Sequence, residues 1–196
     1  EKQQDSFLDF SGFTFYQERK LSTVNFSPTV KMSNRWHGID QNSTLGLVYE
    51  GWKYKRNSSD AAVNISQPIN KIDATQTNQA IYFQHALKIN RTQITLGVRH
   101  EQLKISANDQ YDASAPGASF GSAAPGGKQR VRQNAWEIAL QQSLSTNLVA
   151  YSRFAQGYRF ATVEEIYETD ASFNNSFQFL KPQTQKGIHA GLQWQS

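Results

Sequence analysis

The sequence predicts an all-β fold, an antiparallel meander of about eight strands, and three observations carry that reading. Apolar and polar residues alternate with a period of two in several separated stretches. The composition favours strands, with 12 Phe, 8 Tyr and 4 Trp in 196 residues and abundant Thr, Val and Ile; aromatic and β-branched side chains fit a pleated surface. The connections are unequal: some are tight turns, others long loops.

The clearest alternation sets Ile94, Leu96 and Val98 against Thr95, Gly97, Arg99 and Glu101. Trp136, Ile138 and Leu140 alternate in the same way with Glu137, Ala139 and Gln141, and Ile188, Ala190, Leu192 and Trp194 with His189, Gly191 and Gln193. Such runs mark a sheet with one apolar and one polar face. Further strands are expected over Phe7 to Gln17, Thr23 to Ser33, Thr44 to Lys55, Gln79 to Ile89 and Leu148 to Gly157. Asn90-Arg91-Thr92 and Ser143 to Asn147 read as tight turns. Arg56 to Thr77, Ser106 to Arg132 and Phe160 to Lys181 read as long loops. Following the hairpins, the turns fall at one end of the sheet and the long loops at the other. That is the plan of an outer-membrane barrel, whose apolar face meets lipid and whose polar face lines the lumen. A soluble sandwich also alternates, with its apolar face inward, so alternation alone leaves both open.

Composition narrows the function classes. Mean hydropathy is −0.64, and no apolar run approaches the roughly 20 residues of a spanning helix. The absence of cysteine excludes a disulfide scaffold, a Cys zinc site and thiol catalysis. The net charge is +4, but Lys and Arg are scattered rather than clustered, which argues against a nucleic-acid partner. Glu1 to Asp5 is polar, unlike the start of a signal peptide, and the chain is expected to be an excised segment.

Local sequence is more specific. Leu148 to Tyr167 reads LVAYSRFAQGYRFATVEEIY. It resembles the late-barrel segment of TonB-dependent outer-membrane receptors, where a strand ending Y-x-x-[YF]-x-x-G-[FY]-R-A-P-T-x-x-E-L-Y leads into an extracellular loop. Tyr151, Phe154, Gly157, Tyr158, Arg159, Thr162, Glu165, Ile166 and Tyr167 fall in register without a gap. Phe160 and Ala161 stand where that family usually has Ala-Pro. Leu180 to Trp194 resembles the family's L-K-P-E-T strand through Leu180, Lys181, Pro182, Thr184, Gly191 and Leu192, with Gln183 and His189 in place of two usual Glu residues. Ala80 to Glu101 and Thr44 to Tyr49 resemble two earlier barrel stretches. The resemblance implies that residues 1–196 are a partial β-barrel domain, lacking plug and terminal strand. It further implies uptake of a small nutrient, foremost a ferric siderophore, with outer-membrane lipid and periplasmic TonB as partners, TonB being contacted outside this segment. A soluble antiparallel β domain binding a ligand or glycan, and a complete small barrel, are the alternatives. No enzymatic activity and no cofactor are expected.

The expected ligand contacts are Tyr111, Phe120, Lys128, Arg130 and Arg132, all placed on the long loop from Ser106 to Arg132. Arg supplies paired donors to anionic groups and aromatic rings stack or hold cations; a solvated basic loop is the alternative reading. Arg99, Glu101, Glu137 and Arg153 are expected on the polar face. Trp36, Trp52, Tyr54, Tyr82, Trp136, Tyr151, Tyr158 and Trp194 are expected to form interfacial girdles. His37, His85, His100 and His189 show no metal-ligand spacing. Gly126-Gly127-Lys128 lacks the outer residues of a phosphate loop, since Ser122 and Gln129 stand at the required positions. Adjacent Glu164 and Glu165 do not aim at one substrate as a catalytic pair would.

Overall fold

The computed structural model describes residues 2–8, 14–118, 122–162, 164–169 and 175–194. Among the described residues, eleven strands follow one another: β1 Lys2–Leu8, β2 Thr14–Phe26, β3 Thr29–Trp36, β4 Ile39–Ser59, β5 Asn70–Ile89, β6 Thr92–Tyr111, β7 Gly127–Ser143, β8 Leu148–Arg159, β9 Tyr167–Thr169, β10 Asn175–Phe177 and β11 Gln183–Trp194. The main sheet runs β1-β2-β4-β5-β6-β7-β8-β11, with β3 also paired to β4, and β9 and β10 form a small separate hairpin. Every pairing is antiparallel.

β2 and β3 act as one interrupted strand. β2 pairs with the upper half of β4 and β3 with its lower half. Pro28 sits between them and has no N–H to give the ladder. Its carbonyl still accepts from the Leu47 N–H at 3.0 Å. With that pair taken as one, the sheet is the expected eight-stranded meander.

Strand ends differ from the sequence reading. The expected strand Phe7 to Gln17 crosses residues 9–13, which lie outside the described residues, and Thr23 to Ser33 straddles Pro28. β4, β5 and β6 run for about 20 residues each, so the first two long loops shrink to residues 60–69 and 112–126. The ladder continues through polar residues such as Lys104, Ser106 and Asn108. They face outward above the apolar belt, while the apolar phase moves to the inner face on Leu103, Ile105 and Ala107, and this change of phase makes the stretch resemble a loop in sequence.

Directly paired residues share a face. One row runs Val30, Leu45, Phe83, Val98, Trp136, and another Leu96, Ile138, Phe154, Ile188. The nine residues expected on one apolar face, Ile94, Leu96, Val98, Trp136, Ile138, Leu140, Ile188, Leu192 and Trp194, all lie there. This outer face is open: Val98 is 57% exposed and Ile188 77%. A soluble sandwich would have turned it inward.

The opposite, inner face is the buried one, and it changes character with height. Near the loops it carries Tyr54, Ile72, Ala74, Ile105 and Ala107, on which Ile166 of the loop after β8 packs at 2% exposure. A second cluster, Ile69, Ala115 and Ala118, sits beside Tyr111. The inner face, expected to be polar, therefore carries apolar residues among its polar ones near the top, where loop residues supply apolar partners. Toward the tight turns, inner-face glycines admit large neighbours: a Cβ on Gly46 would lie 2.3 Å from the ring of its direct partner Tyr82, and one on Gly191 would lie 2.6 Å from the hydroxyl of Tyr151.

Parity also divides the expected girdle. Trp36, Trp136 and Trp194 belong to the outer face, while Trp52, Tyr54, Tyr82 and Tyr151 face inward by their pairings. Tyr158 lies past the end of the β7–β8 ladder, and its hydroxyl reaches inner-face Glu101. Girdle assignment from position along a strand alone ignored the side on which each ring stands.

Candidate functional site at the loop-covered inner face

Two carboxylates organise the polar part of the inner face. Glu101, 6% exposed, accepts from Arg99 Nε and Nη2 at 2.8 and 2.6 Å, from the Tyr158 hydroxyl at 2.6 Å and from Asn78 Nδ2 at 3.2 Å. Glu137 accepts from Arg153 Nε at 2.9 Å and from Gln84 Nε2 at 3.4 Å. A buried charge persists only when it is paired and hydrogen-bonded, and Glu101 is both. The four charged residues expected on the polar face form these two pairs and cross-link β5, β6, β7 and β8.

Above them the loops fold over the wall. The Asp109 carboxylate accepts from Asn70 Nδ2 at 3.0 Å and from the Ala124 N–H at 3.0 Å. Asn70 and Asn175 both donate to the Ser122 carbonyl, at 3.0 and 2.8 Å. Loop 112–126 is thereby tied to β5, to β6 and to the β9–β10 hairpin. In the loop itself, the hydroxyl and N–H of Ser114 hold the Asp112 carboxyl below its ordinary range.

The turn after β8 explains why the chain carries its local motif. The Glu165 carboxylate accepts from the Thr162 N–H at 2.8 Å, and the Glu165 N–H approaches Thr162 Oγ1 at 3.4 Å, the reciprocal pattern of a capping box. Arg159 Nη1 donates to both Glu165 oxygens. The Thr162 N–H first, and Arg159 next, hold the Glu165 carboxyl below the usual carboxylate range. The turn drives Ile166 into the apolar cluster and sets Tyr167 beneath Arg56, whose guanidinium carbon lies 4.0 Å from the ring centroid.

A cavity of about 90 Å³ opens here between Arg19, Tyr54, Arg56, Ile72, Glu164, Tyr167 and Phe177. Arg19 Nη1 lies 3.6 Å from Glu164 Oε1. Among the described residues, Arg56 Nε is buried without a hydrogen-bond partner. Two guanidiniums facing one small cavity suit an anionic oxygen group, which they can bind through paired donors. Sequence reading missed both, because Arg19 and Arg56 are far apart in the chain; the β2–β4 register makes them direct partners.

The five expected ligand contacts are not brought together. Tyr111 ends β6 at the rim, and its hydroxyl donates to the Ala118 carbonyl. Phe120 lies outside the described residues. Lys128, Arg130 and Arg132 belong to β7 rather than to a loop, paired opposite Ser106, Lys104 and Gln102. They share the outer face with Trp136, so they do not line the inner wall. His85 Nδ1 lies 2.8 Å from Ser43 Oγ, and His100 Nδ1 lies 2.7 Å from Asn134 Oδ1. No group of His, Asp or Glu among the described residues is arranged to hold a metal ion.

Residues 2–196 match the family model described as TonB dependent receptor-like, beta-barrel. The chain belongs to that family. None of the curated proteins compared matches it. Among solved structures, it is similar to the ferric citrate transporter FecA in its unliganded form, with TM-score 0.65 and 11% identity over 92% of this chain and 26% of that one. It is also similar to the ferric yersiniabactin uptake receptor FyuA from Yersinia pestis, with TM-score 0.59 and 15% identity over 98% of this chain and 29% of that one. At these identities the likeness is one of fold. The chain spans less than a third of either structure.

Proposed function

We propose that this TonB-dependent receptor barrel segment serves uptake of a small nutrient across the outer membrane, and that the cargo is a ferric siderophore carrying anionic oxygen groups. The observation that carries this reading is the Arg19–Arg56 pair at the loop-covered mouth, with its unpartnered buried Nε. The names of FecA and FyuA, which speak of ferric citrate and ferric yersiniabactin, support the cargo class. Anionic cargo would replace Glu164 as the partner of Arg19, and passage would follow the Arg99–Glu101 and Glu137–Arg153 wall. Tyr111 holds the rim of loop 112–126 in this reading. Energy would come from TonB, contacted elsewhere in the receptor.

The test is cargo affinity and TonB-dependent uptake by the full-length receptor. The double variant Arg19→Gln, Arg56→Gln is expected to weaken ferric-siderophore binding at least tenfold, equivalent to about 1.4 kcal/mol, with heat-modifiable gel mobility unchanged. Replacing Lys128, Arg130 and Arg132 by Gln is expected to leave affinity unaltered. A double variant that binds and imports as the parent does would refute the reading.

A further inference from the structure

The outer face carries its own charge pattern, separate from the mouth. On β6 and β7, Lys104 and Arg130 stand directly opposite each other, with Lys128 and Arg132 one step to either side of Arg130 on the same face. All four are exposed. Like charges directly opposed across a ladder are unfavourable. The only carboxylate on the outer faces of β5, β6 and β7 among the described residues is Asp73, and Lys55 takes it at 3.3 Å. The two arginines share a single neutral acceptor: Gln102 Oε1 receives Arg130 Nε and Nη2 together with Arg132 Nε. Four cations are thus held together with no carboxylate paired to them among the described residues of these strands.

Their height is specific. Arg132 is four residues above Trp136 and Lys104 six above Val98, so along tilted strands they sit roughly 10 to 16 Å above those belt residues. They therefore stand on the loop side of the apolar belt, where hydrocarbon gives way to headgroups. Arg in this setting offers planar paired donors that match phosphate oxygens.

We propose that Lys104, Lys128, Arg130 and Arg132 form a docking patch for the phosphate groups of anionic lipid in the leaflet around the barrel. The acyl chains of such a lipid would lie along Val98, Trp136 and Ile138, directly below the patch. This rests on the outer-membrane reading given above.

The test compares the full-length receptor with the variant Lys104→Gln, Lys128→Gln, Arg130→Gln, Arg132→Gln, in neutral detergent and in phosphatidylcholine vesicles with and without phosphatidic acid. Phosphatidic acid is expected to raise the thermal transition of the parent but not of the variant, and parent retention of the lipid in native mass spectrometry should exceed the variant's at least tenfold. Added salt should erode the difference. The variant should be no less stable than the parent in neutral detergent, since it loses like-charge repulsion. If it does not fold, the single variant Arg130→Gln provides the same comparison with a smaller difference. Equal response of parent and variant to phosphatidic acid, with both inserted in vesicles, would overturn the patch alone. Free inorganic phosphate reproducing the whole shift would also overturn it, because the acyl contact would then be idle. Failure of either protein to enter neutral vesicles would instead strike the membrane reading beneath it.

Discussion

Arg159, the last residue of β8, donates through one Nη1 to both carboxylate oxygens of Glu165, at 2.8 and 3.1 Å. The ion pair ties the end of a strand to the turn that folds back over the sheet. Both groups are open to solvent, at 55% and 37% side-chain exposure, so the pair matters for placing the turn rather than for holding the sheet.

This gives a pH dependence with a definite sign. The folded-state pKa of Glu165 is lowered, so its contribution is complete above the ordinary carboxylate range and is lost as pH falls through the lowered folded value. Hydrogen exchange at residues 164–169 should accelerate on acidification beyond the intrinsic trend, and Glu165→Gln should show that faster exchange already at neutral pH. Protection in Glu165→Gln equal to the parent would show that the turn is held without the carboxylate.

Ile166 tests what the turn accomplishes. It is 2% exposed among Tyr54, Ile72, Ala74, Ile105 and Ala107. Removing such a side chain down to Ala typically costs about 2 to 5 kcal/mol, yet the loop can undock without unravelling the strands. Ile166→Ala is therefore expected to open residues 160–169 to limited proteolysis while heat-modifiable mobility of the barrel persists. Loss of the folded barrel itself would mean that the loop core contributes to the sheet.

Gly46 lies on the inner face directly opposite Tyr82, whose hydroxyl lies 2.9 Å from Thr29 Oγ1. A Cβ at 46 would fall 2.3 Å from the ring. Gly46→Ala must displace the Tyr82 ring and break its link to β3, an overpacking cost of roughly 1 to 3 kcal/mol. A lower unfolding transition is expected, largely restored by Tyr82→Ala in the same chain. An additive rather than compensating double variant would count against the direct clash.

Much of this was legible in sequence, and the gaps have physical causes. The sequence located seven of the eight meander strands and assigned the faces of Leu96 and Arg99 correctly. It failed where strands outrun their apolar belt: from Gln102 to Tyr111 the alternation continues, but its apolar phase passes from the outer face to the inner one, onto Leu103, Ile105 and Ala107. The motif from Tyr151 to Tyr167 marked the turn, but not that Ile166 would be its anchor. Arg19 and Arg56 could not be joined without the register of β2 on β4. Lys128, Arg130 and Arg132 were visible as a basic run; their alternate spacing, in phase with Trp136 and Ile138, was the overlooked sign that they face outward.

That phase relation can be measured directly with the tryptophans. Trp136 pairs with Val98 on the outer face, whereas Trp52, on β4, pairs with Thr23 and Gln76 on the inner face. If the outer face meets lipid, bromine on acyl chains should reach Trp136 and not Trp52. Trp36 and Trp194 are also outward and 63% and 68% exposed, so each must be replaced by Phe to isolate the signal. In the full-length receptor, with any other tryptophan likewise replaced, a chain retaining Trp136 should lose most of its emission in brominated phosphatidylcholine. A chain retaining Trp52 should lose little. The inner ring is separated from lipid by the sheet itself, and short-range bromine quenching does not cross it. Equal quenching of the two would mean that the faces are reversed or that the segment is not surrounded by lipid; stronger quenching of Trp52 would reverse them outright.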